Sequence, residues 1–404
     1  MAAGRNLAAI GALNYNETGL VFLYNYSKQN GWTAGEVLTG SDTQSADMFG
    51  SSLDLSGTTL VVGAPGHDGN ASSSGAAYVF EWTEGAGWNE TAKLEPSDLL
   101  TNSLFGTSVA VSCEAVAVGS DQHHGLDERQ GCVYVFGRDA DGKWIQQDKL
   151  YAPNGRIGDY FGDSISLDGK QLLVGAPYTR DDPEPGFAYM WLPSHSDGWE
   201  LLQMLSASGV SSGDKFGADV AVHDSTAVVG APYDDENGQL AGAAYLFYLE
   251  DGGWGERAKL LPFDAMSGDW TGARISIHRG TAITNANRHN GEKGAVFAFH
   301  DLAPLSLDIE GDCPGKMRIT IYGAKPDDRL ALLYGTKQGK TEALPYCPDL
   351  FVNIANPIVA AVGRADGMGQ LTVTGKVPGK ACGRLIVQGV DLTTCEKTKA
   401  TLLE

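Results

Sequence analysis

The chain has 404 residues, 42% of them hydrophobic, which exceeds the size at which one core stops growing and leads us to expect two domains. Its 50 acidic residues against 29 basic ones give a net charge of −21, which repels phosphate backbones and anionic membrane surfaces and excludes nucleic acid as a natural partner. The 53 glycines follow no collagen period and are interleaved with Val, Ile, Tyr and Phe, the pattern of many short strands, and no run of 18 apolar residues offers a transmembrane helix.

In chain order, residues 1–13 carry one Arg and the short apolar stretch 7–10, too little for a signal-peptide core. Ala9-Ile10-Gly11-Ala12, followed by Gly19-Leu20-Val21-Phe22-Leu23-Tyr24, belongs instead to the first of six copies of a repeat. The other five carry Phe49-Gly50, Phe105-Gly106, Phe161-Gly162, Phe216-Gly217 and a degenerate Thr271-Gly272 behind Trp270. Each leads to Gly63-Ala64-Pro65 or its counterpart: Gly119-Ser120, Gly175-Ala176-Pro177, Gly230-Ala231-Pro232 or Asn285-Ala286. A glycine then opens an aromatic strand, at 75–80, 131–136, 186–191, 242–247 and 294–299. Trp32, Trp88, Trp144, Trp199 and Trp254 fall 56, 56, 55 and 55 residues apart, so four landmarks keep register at once.

Each unit predicts four strands. In the third copy, strand A is 108–112, strand B ends at Gly119, strand C is 133–136 and strand D contains Trp144. Asp168-Gly169 links A to B in the next copy, and Asp141-Gly142, Asp197-Gly198 and Asp251-Gly252 link C to D, because Asp-Gly supplies the positive φ that two-residue hairpin turns need. Strand B is apolar on consecutive positions (Leu60-Val61-Val62, Ala227-Val228-Val229), as in a strand covered on both faces. Such a sheet cannot bury both faces alone and packs radially as a propeller blade.

Phe-Gly, then Gly-Ala-Pro, then a Gly-led aromatic strand resembles the FG-GAP repeat of integrin α-subunit propellers and many secreted bacterial proteins, over residues 5–300. The resemblance implies an FG-GAP β-propeller over residues 1–302 of an all-β chain, and the short alternating strands beyond it point to a small Ig-like β-sandwich over 303–404. Propellers of this family usually have seven blades, whereas six copies are visible here, the first and last partial. The Phe of the first copy would fall ahead of Met1, so the first blade is expected to lack strand A and the chain to be truncated at its N terminus. A six-bladed ring closed by an unrecognised strand is the alternative. The sixth copy lacks the Trp of strand D, because the chain passes directly into the C-terminal domain.

Integrin-type repeats that bind calcium carry an Asp-rich loop between strands A and B. Here those connections are 54–59, 113–114, 168–170 and 223–225, too short and too poor in carboxylates for the six to eight oxygens calcium takes. No cofactor is therefore expected, and Asp139-Ala140-Asp141-Gly142 is expected to be only a C–D turn. The B–C loops carry the polar chemistry: His67 and Asp68; Asp121, His123 and His124; Arg180, Asp181 and Asp182; Asp234, Asp235 and Glu236; Arg288 and His289. In equivalent blades these loops emerge at one end beside the D–A loops, the ligand-binding end of integrin propellers, and variable polar loops on a fixed scaffold are where binding resides. Asp121, His123 and His124 could chelate a metal, but no second cluster at ligand spacing accompanies them, so no metal is expected. Asp47, Asp159, Asp214 and Asp269, just ahead of the Phe position, are expected to cap backbone N–H groups at the entry to strand A.

From Leu305 the repeat ends, and strands are predicted at 305–309, 317–322, 330–334, 357–362, 370–374 and 385–390. Cys313, Cys347, Cys382 and Cys395 lie in this domain and point to two disulfides and an oxidising compartment. Three connectivities are open, with strand order favouring Cys313–Cys347 and Cys382–Cys395. Cys113 and Cys132 belong to strands A and C of one blade, about 9–10 Å apart across two strand spacings, and are expected to be buried thiols. Sequons occur at Asn16, Asn25, Asn70 and Asn89.

Gly-x-Ser-x-Gly, His-Glu-x-x-His and the phosphate-loop pattern are all absent, so no enzyme is expected. The expected function is a secreted or cell-surface, monomeric binding or adhesion protein. Its partner would be an extracellular protein or glycan, with neither nucleic-acid binding nor membrane insertion. The alternatives are the non-catalytic propeller portion of a secreted hydrolase or phospholipase, and a structural cell-surface component.

Overall fold

The computed structural model describes residues 1–4, 6–122, 130–155, 158–177, 185–194, 198–250, 253–262, 264–278, 280–300, 305–310, 314–324, 327–342, 351–366, 370–378, 381–393, 396–398 and 401–402. The chain divides into two compact units, residues 1–277 with 283–298, and residues 278–282 with 299–404.

The first unit repeats one antiparallel sheet in the order A-B-C-D. The second sheet is typical: A is Ser52–Ser56, B Thr59–Ala64, C Ala76–Thr83 and D Gly87–Leu94. The third comprises Val109–Val111, Ala115–Ser120, Cys132–Arg138 and Trp144–Leu150. The fourth comprises Ser164–Asp168, Gln171–Ala176, Phe187–Pro193 and Trp199–Leu205. The fifth comprises Val220–His223, Thr226–Ala231, Ala243–Glu250 and Gly253–Leu260. Strands A of successive sheets pack side by side, the arrangement of propeller blades about an axis.

Two expectations about the ends of the array meet the structure differently. The first sheet does have a strand A: Ala2–Ala3 pairs with strand B, Leu7–Ala12, in the register Ala2↔Ala9. Two residues suffice as an inner edge even without a Phe-Gly element. The sixth sheet has three strands, Thr271–His278, Thr281–Ala286 and Ala295–Phe299, and no strand D among the described residues.

The landmark residues now have physical roles. Phe49, Phe105, Phe161 and Phe216 are fully buried. Each meets the Tyr of its strand C edge-on, at ring-centroid distances of 5.4, 5.4, 5.4 and 5.6 Å. The N–H of Gly50 donates to the carbonyl of Gly63 at 3.0 Å, and the same bond recurs from Gly106 to Gly119, Gly162 to Gly175 and Gly217 to Gly230. A Cβ on Gly63 would fall inside the van der Waals shell of the Gly106 carbonyl oxygen, and Gly119, Gly175 and Gly230 face the next sheet in the same way. The two glycine motifs are therefore one joint, within a sheet and between neighbours.

Strands A lie at sheet edges, where unpaired N–H groups need acceptors. Side chains of the preceding sheet supply them: Asp54 Oδ2 accepts from Val111 N at 2.7 Å, Ser164 Oγ from Val220 N at 3.0 Å, and Ser166 Oγ from Val222 N at 3.1 Å. A bulge recurs in the C–D pairing of the second to fifth sheets, at Val79/Phe80, Val135/Phe136, Met190/Trp191 and Leu246/Phe247. Bulges add local twist, as stacked blades require.

The second unit holds one antiparallel sheet of Ser306–Glu310, Gly315–Tyr322 and Leu371–Val377. Another is built on Ile358–Arg364, Arg329–Gly335 and Ile386–Asp391, with Glu396–Lys397 and Thr401–Leu402 on its edge. Met317, Ile319 and Ile321 of one sheet pack against Leu330, Leu332 and Val387 of the other, which makes the sandwich core. A hairpin of Gln338–Glu342 and Phe351–Ile354 adds two strands that the sequence pattern did not announce.

Candidate functional site

The B–C loops and D–A loops share one end of the propeller unit, because they hydrogen-bond to each other along the chain. Asn102, Leu104 and Phe105 donate their backbone N–H groups to the carbonyls of Ser72, Ser73 and Ser74, at 2.9, 3.2 and 3.0 Å. Gly268, Trp270 and Thr271 do the same to Gln239, Leu240 and Ala241. Each B–C loop is thus stitched to the D–A loop entering the next sheet.

Buried side chains tie the loops further. In the second sheet, His67 Nδ1 lies 2.8 Å from Asp47 Oδ2, and His67 Nε2 lies 2.8 Å from Lys93 Nζ. An ammonium can only donate, so Nε2 accepts and Nδ1 carries the proton given to Asp47. Lys93 also pairs with Asp42 at 2.9 Å, and Tyr78 Oη donates to Asp42 at 2.7 Å. Burial opposes the Asp42 charge, but Lys93 and Tyr78 outweigh it and hold the carboxyl below its ordinary range.

The cluster recurs with substitutions. In the third sheet Tyr134 and Lys149 converge on Asp98, at 2.9 and 2.6 Å. In the fourth, Tyr189 donates to Asn154 at 2.8 Å. In the fifth, Asp234 takes over the carboxylate role from within the B–C loop, accepting from Tyr245 at 2.6 Å and pairing with Lys259 at 2.8 Å, and Glu236 also pairs with Lys259. Burial disfavours the Lys259 ammonium, yet Asp234, Glu236 and Tyr245 raise its pKa well above the ordinary value. In the sixth sheet His289 Nδ1 lies 2.8 Å from Asp269 Oδ2, which raises the histidine's pKa.

The nominated loop residues therefore fall into two groups. His67, Asp121, Asp234 and His289 are buried. Their partners lie within the protein, Thr107 Oγ1 donating to Asp121 at 3.0 Å, and burial pushes the Asp121 carboxyl up to about 6. Asp68, Asp235, Glu236 and Arg288 are exposed. Asp68 accepts from Ser73 N and Asp235 from Leu240 N, and the Arg288 guanidinium sits 3.8 Å from the centre of the Trp270 ring. His123, His124, Arg180, Asp181 and Asp182 lie outside the described residues. Sequence reasoning missed Asp42, Asp98, Tyr78, Tyr134, Tyr245, Lys93, Lys149 and Lys259. Their signal was present in the 56-residue step from 42 to 98, 78 to 134 and 93 to 149.

Asp47, Asp214 and Asp269 cap backbone as expected, accepting from Gln44, Ser211 and Met266 N at 2.8, 2.7 and 2.8 Å. Asp47 and Asp269 do more, since each also holds the B–C loop histidine. Asp139 Oδ1 accepts from Asp141 N and Lys143 N, both at 2.9 Å, so that segment is a turn.

The FG-GAP repeat family matches the sequence four times, at residues 32–80, 88–136, 144–191 and 199–247. Each match begins on a strand D and ends on the next sheet's strand C, so the repeat in sequence straddles two blades in space. The chain is an FG-GAP repeat protein. No curated protein matches it.

Two further features of this FG-GAP protein bear on chemistry. Cys113 and Cys132 are free thiols, but only Cys132 is buried, and burial pushes it up to about 12. Cys113, expected to be buried, is exposed because it lies in the A–B turn beyond the end of Val109–Val111. In the second unit Cys382 is disulfide-bonded. Cys313, Cys347 and Cys395 lie outside the described residues, and the favoured pairings with them.

Proposed function

We propose that this FG-GAP protein is a secreted or cell-surface binding or adhesion protein that holds a protein or glycan ligand on the loop end of its propeller, without catalysis of its own. The observation that carries this reading is the division among loop residues. His67, Asp234 and His289 are consumed in buried ties that fix the loops, while Asp68, Asp235, Glu236 and Arg288 stay exposed on that fixed framework. Loops ordered in advance lose little entropy on binding, which is the chief physical advantage of a scaffolded site. Three of these four exposed groups are acidic on a chain of net charge −21, which favours a basic or hydroxyl-rich ligand surface. The disulfide at Cys382 accords with an oxidising compartment.

The test is an array of glycans and extracellular proteins probed with the wild type and with the combined variant Asp68→Asn, Asp235→Asn, Glu236→Gln, Arg288→Gln. These changes remove charge but keep the Asx-type acceptors that hold the loops. Binding lost in the variant at unchanged melting temperature supports the reading. Binding equal in both proteins, or no binding at all, contradicts it.

A further inference from the structure

The end of the propeller opposite the B–C loops is formed by the A–B hairpin turns. Read one at a time, these turns are too short to enclose a cation. The structure brings two of them together. Asp168 closes strand A of the fourth sheet, His223 closes strand A of the fifth, and Asp224 follows in the fifth sheet's turn. One ligating atom from each of the three lies within 4.8 Å of the others. Asp168 Oδ2 accepts from Asp224 N at 2.6 Å, which locks the two turns in register, and His223 Nδ1 lies 3.1 Å from Asp224 Oδ2. Gln171 donates through Nε2 to the Asp224 carbonyl at 2.8 Å, while its buried Oε1 has no hydrogen-bond partner. A further oxygen donor thus stands unsatisfied beside the cluster.

We propose that Asp168, His223 and Asp224 form a binding site for a divalent transition metal of the zinc type, clamped between the turns of adjacent blades. The donor set decides the class of ion. One imidazole and two carboxylates match the nitrogen and oxygen ligands of Zn²⁺, which needs only three or four protein groups. Calcium takes six to eight oxygens and gains nothing from an imidazole. Asp168 and His223 are half-buried and Asp224 is exposed, so an ion can reach the site from solvent, and open coordination positions would face outward. A metal here would add a link between the turns of the fourth and fifth sheets, whose strands already pack through an apolar cluster that includes Leu173, Val220 and Val222, and would stabilise the folded state by mass action.

The test is isothermal titration of the untagged full-length protein with Zn²⁺, and absorption spectroscopy with Co²⁺. Three variants are compared: Asp168→Asn, which keeps the acceptor for Asp224 N, His223→Ala, and the double change His123→Ala with His124→Ala. The site predicts stoichiometric Zn²⁺ binding, a rise in melting temperature with Zn²⁺, and at least about tenfold weaker binding in Asp168→Asn and in His223→Ala. The two variants should melt with the wild type when no metal is added. Absence of Zn²⁺ binding overturns the proposal. So does binding that is indifferent to both changes, binding lost only with His123 and His124, or preferential Ca²⁺ binding that survives His223→Ala.

Discussion

Asp163, immediately after Phe161-Gly162, is one of several inner carboxyls whose surroundings oppose their charge. Burial pushes its carboxyl up to about 6 from an ordinary 3.8, with Asp121 and Asp219 adding to the rise and Arg274 and Lys215 opposing it. Because the folded-state value lies above the unfolded one, the folded protein binds more protons between those limits. This group's contribution to stability therefore falls as pH rises from about 4 to about 6 and stays lost above. Asp163→Asn should gain about 1–2 kcal/mol at pH 7, allowing for partial exposure, and nothing at pH 4. Denaturant unfolding of both proteins at the two pH values checks this, and an equal gain at both would refute the linkage. At this scale the sequence was only partly legible. It named His67, Asp234 and His289 as loop residues, but not that they are buried, because Asp47 and Asp269 each lie 20 positions from the histidine they hold.

The strand is the level at which sequence was most informative. Phe-Gly, the glycine that opens Gly-Ala-Pro, and the Gly-led aromatic strand mark contacts that those residues make in every full copy, and those letters survive in each, whereas Ala-Pro gives way to Ser120-Asp121 in the third. Gly63 shows why: its missing Cβ leaves room for the Gly106 carbonyl of the next sheet. Gly63→Ala should cost about 3 kcal/mol, since the Gly106 backbone of the next sheet resists displacement and the Ser52 hydroxyl crowds the same space. Gly375→Ala, whose Cβ would meet nothing within 4 Å, should change stability by about 0.5 kcal/mol at most. Melting curves for the pair test the joint, and equal effects would contradict it. Other element-level features left no trace in the letters. Met48, Leu104, Tyr160, Lys215 and Trp270 all adopt positive φ at the same repeat position, φ 57, 53, 54, 59 and 59°. Five unrelated side chains tolerate a conformation worth about 1–2 kcal/mol of strain, so backbone context imposes it and the side chain does not report it. The recurrent C–D bulge is equally silent.

For the whole molecule, a period near 56 residues marked the β-propeller, and the short alternating strands after Leu305 marked the smaller β-sandwich that follows it in sequence. It was not enough to show that Ala2–Ala3 supplies an inner strand, because two alanines carry no pattern. Nor could the sequence show that turns 56 residues apart meet at Asp168 and Asp224, since each turn was too poor in ligands to be noticed alone. The two ends of the propeller now carry different chemistry: exposed charges on a braced loop framework at one, and a compact His-carboxylate cluster at the other. The most direct test of the binding account is the affinity of an array-identified ligand for three proteins: the wild type, the loop-end charge variant, and a turn-end variant carrying Asp168→Asn and His223→Ala. The account predicts at least about tenfold weaker binding for the loop-end variant and no change for the turn-end variant. Full affinity in the loop-end variant would contradict it.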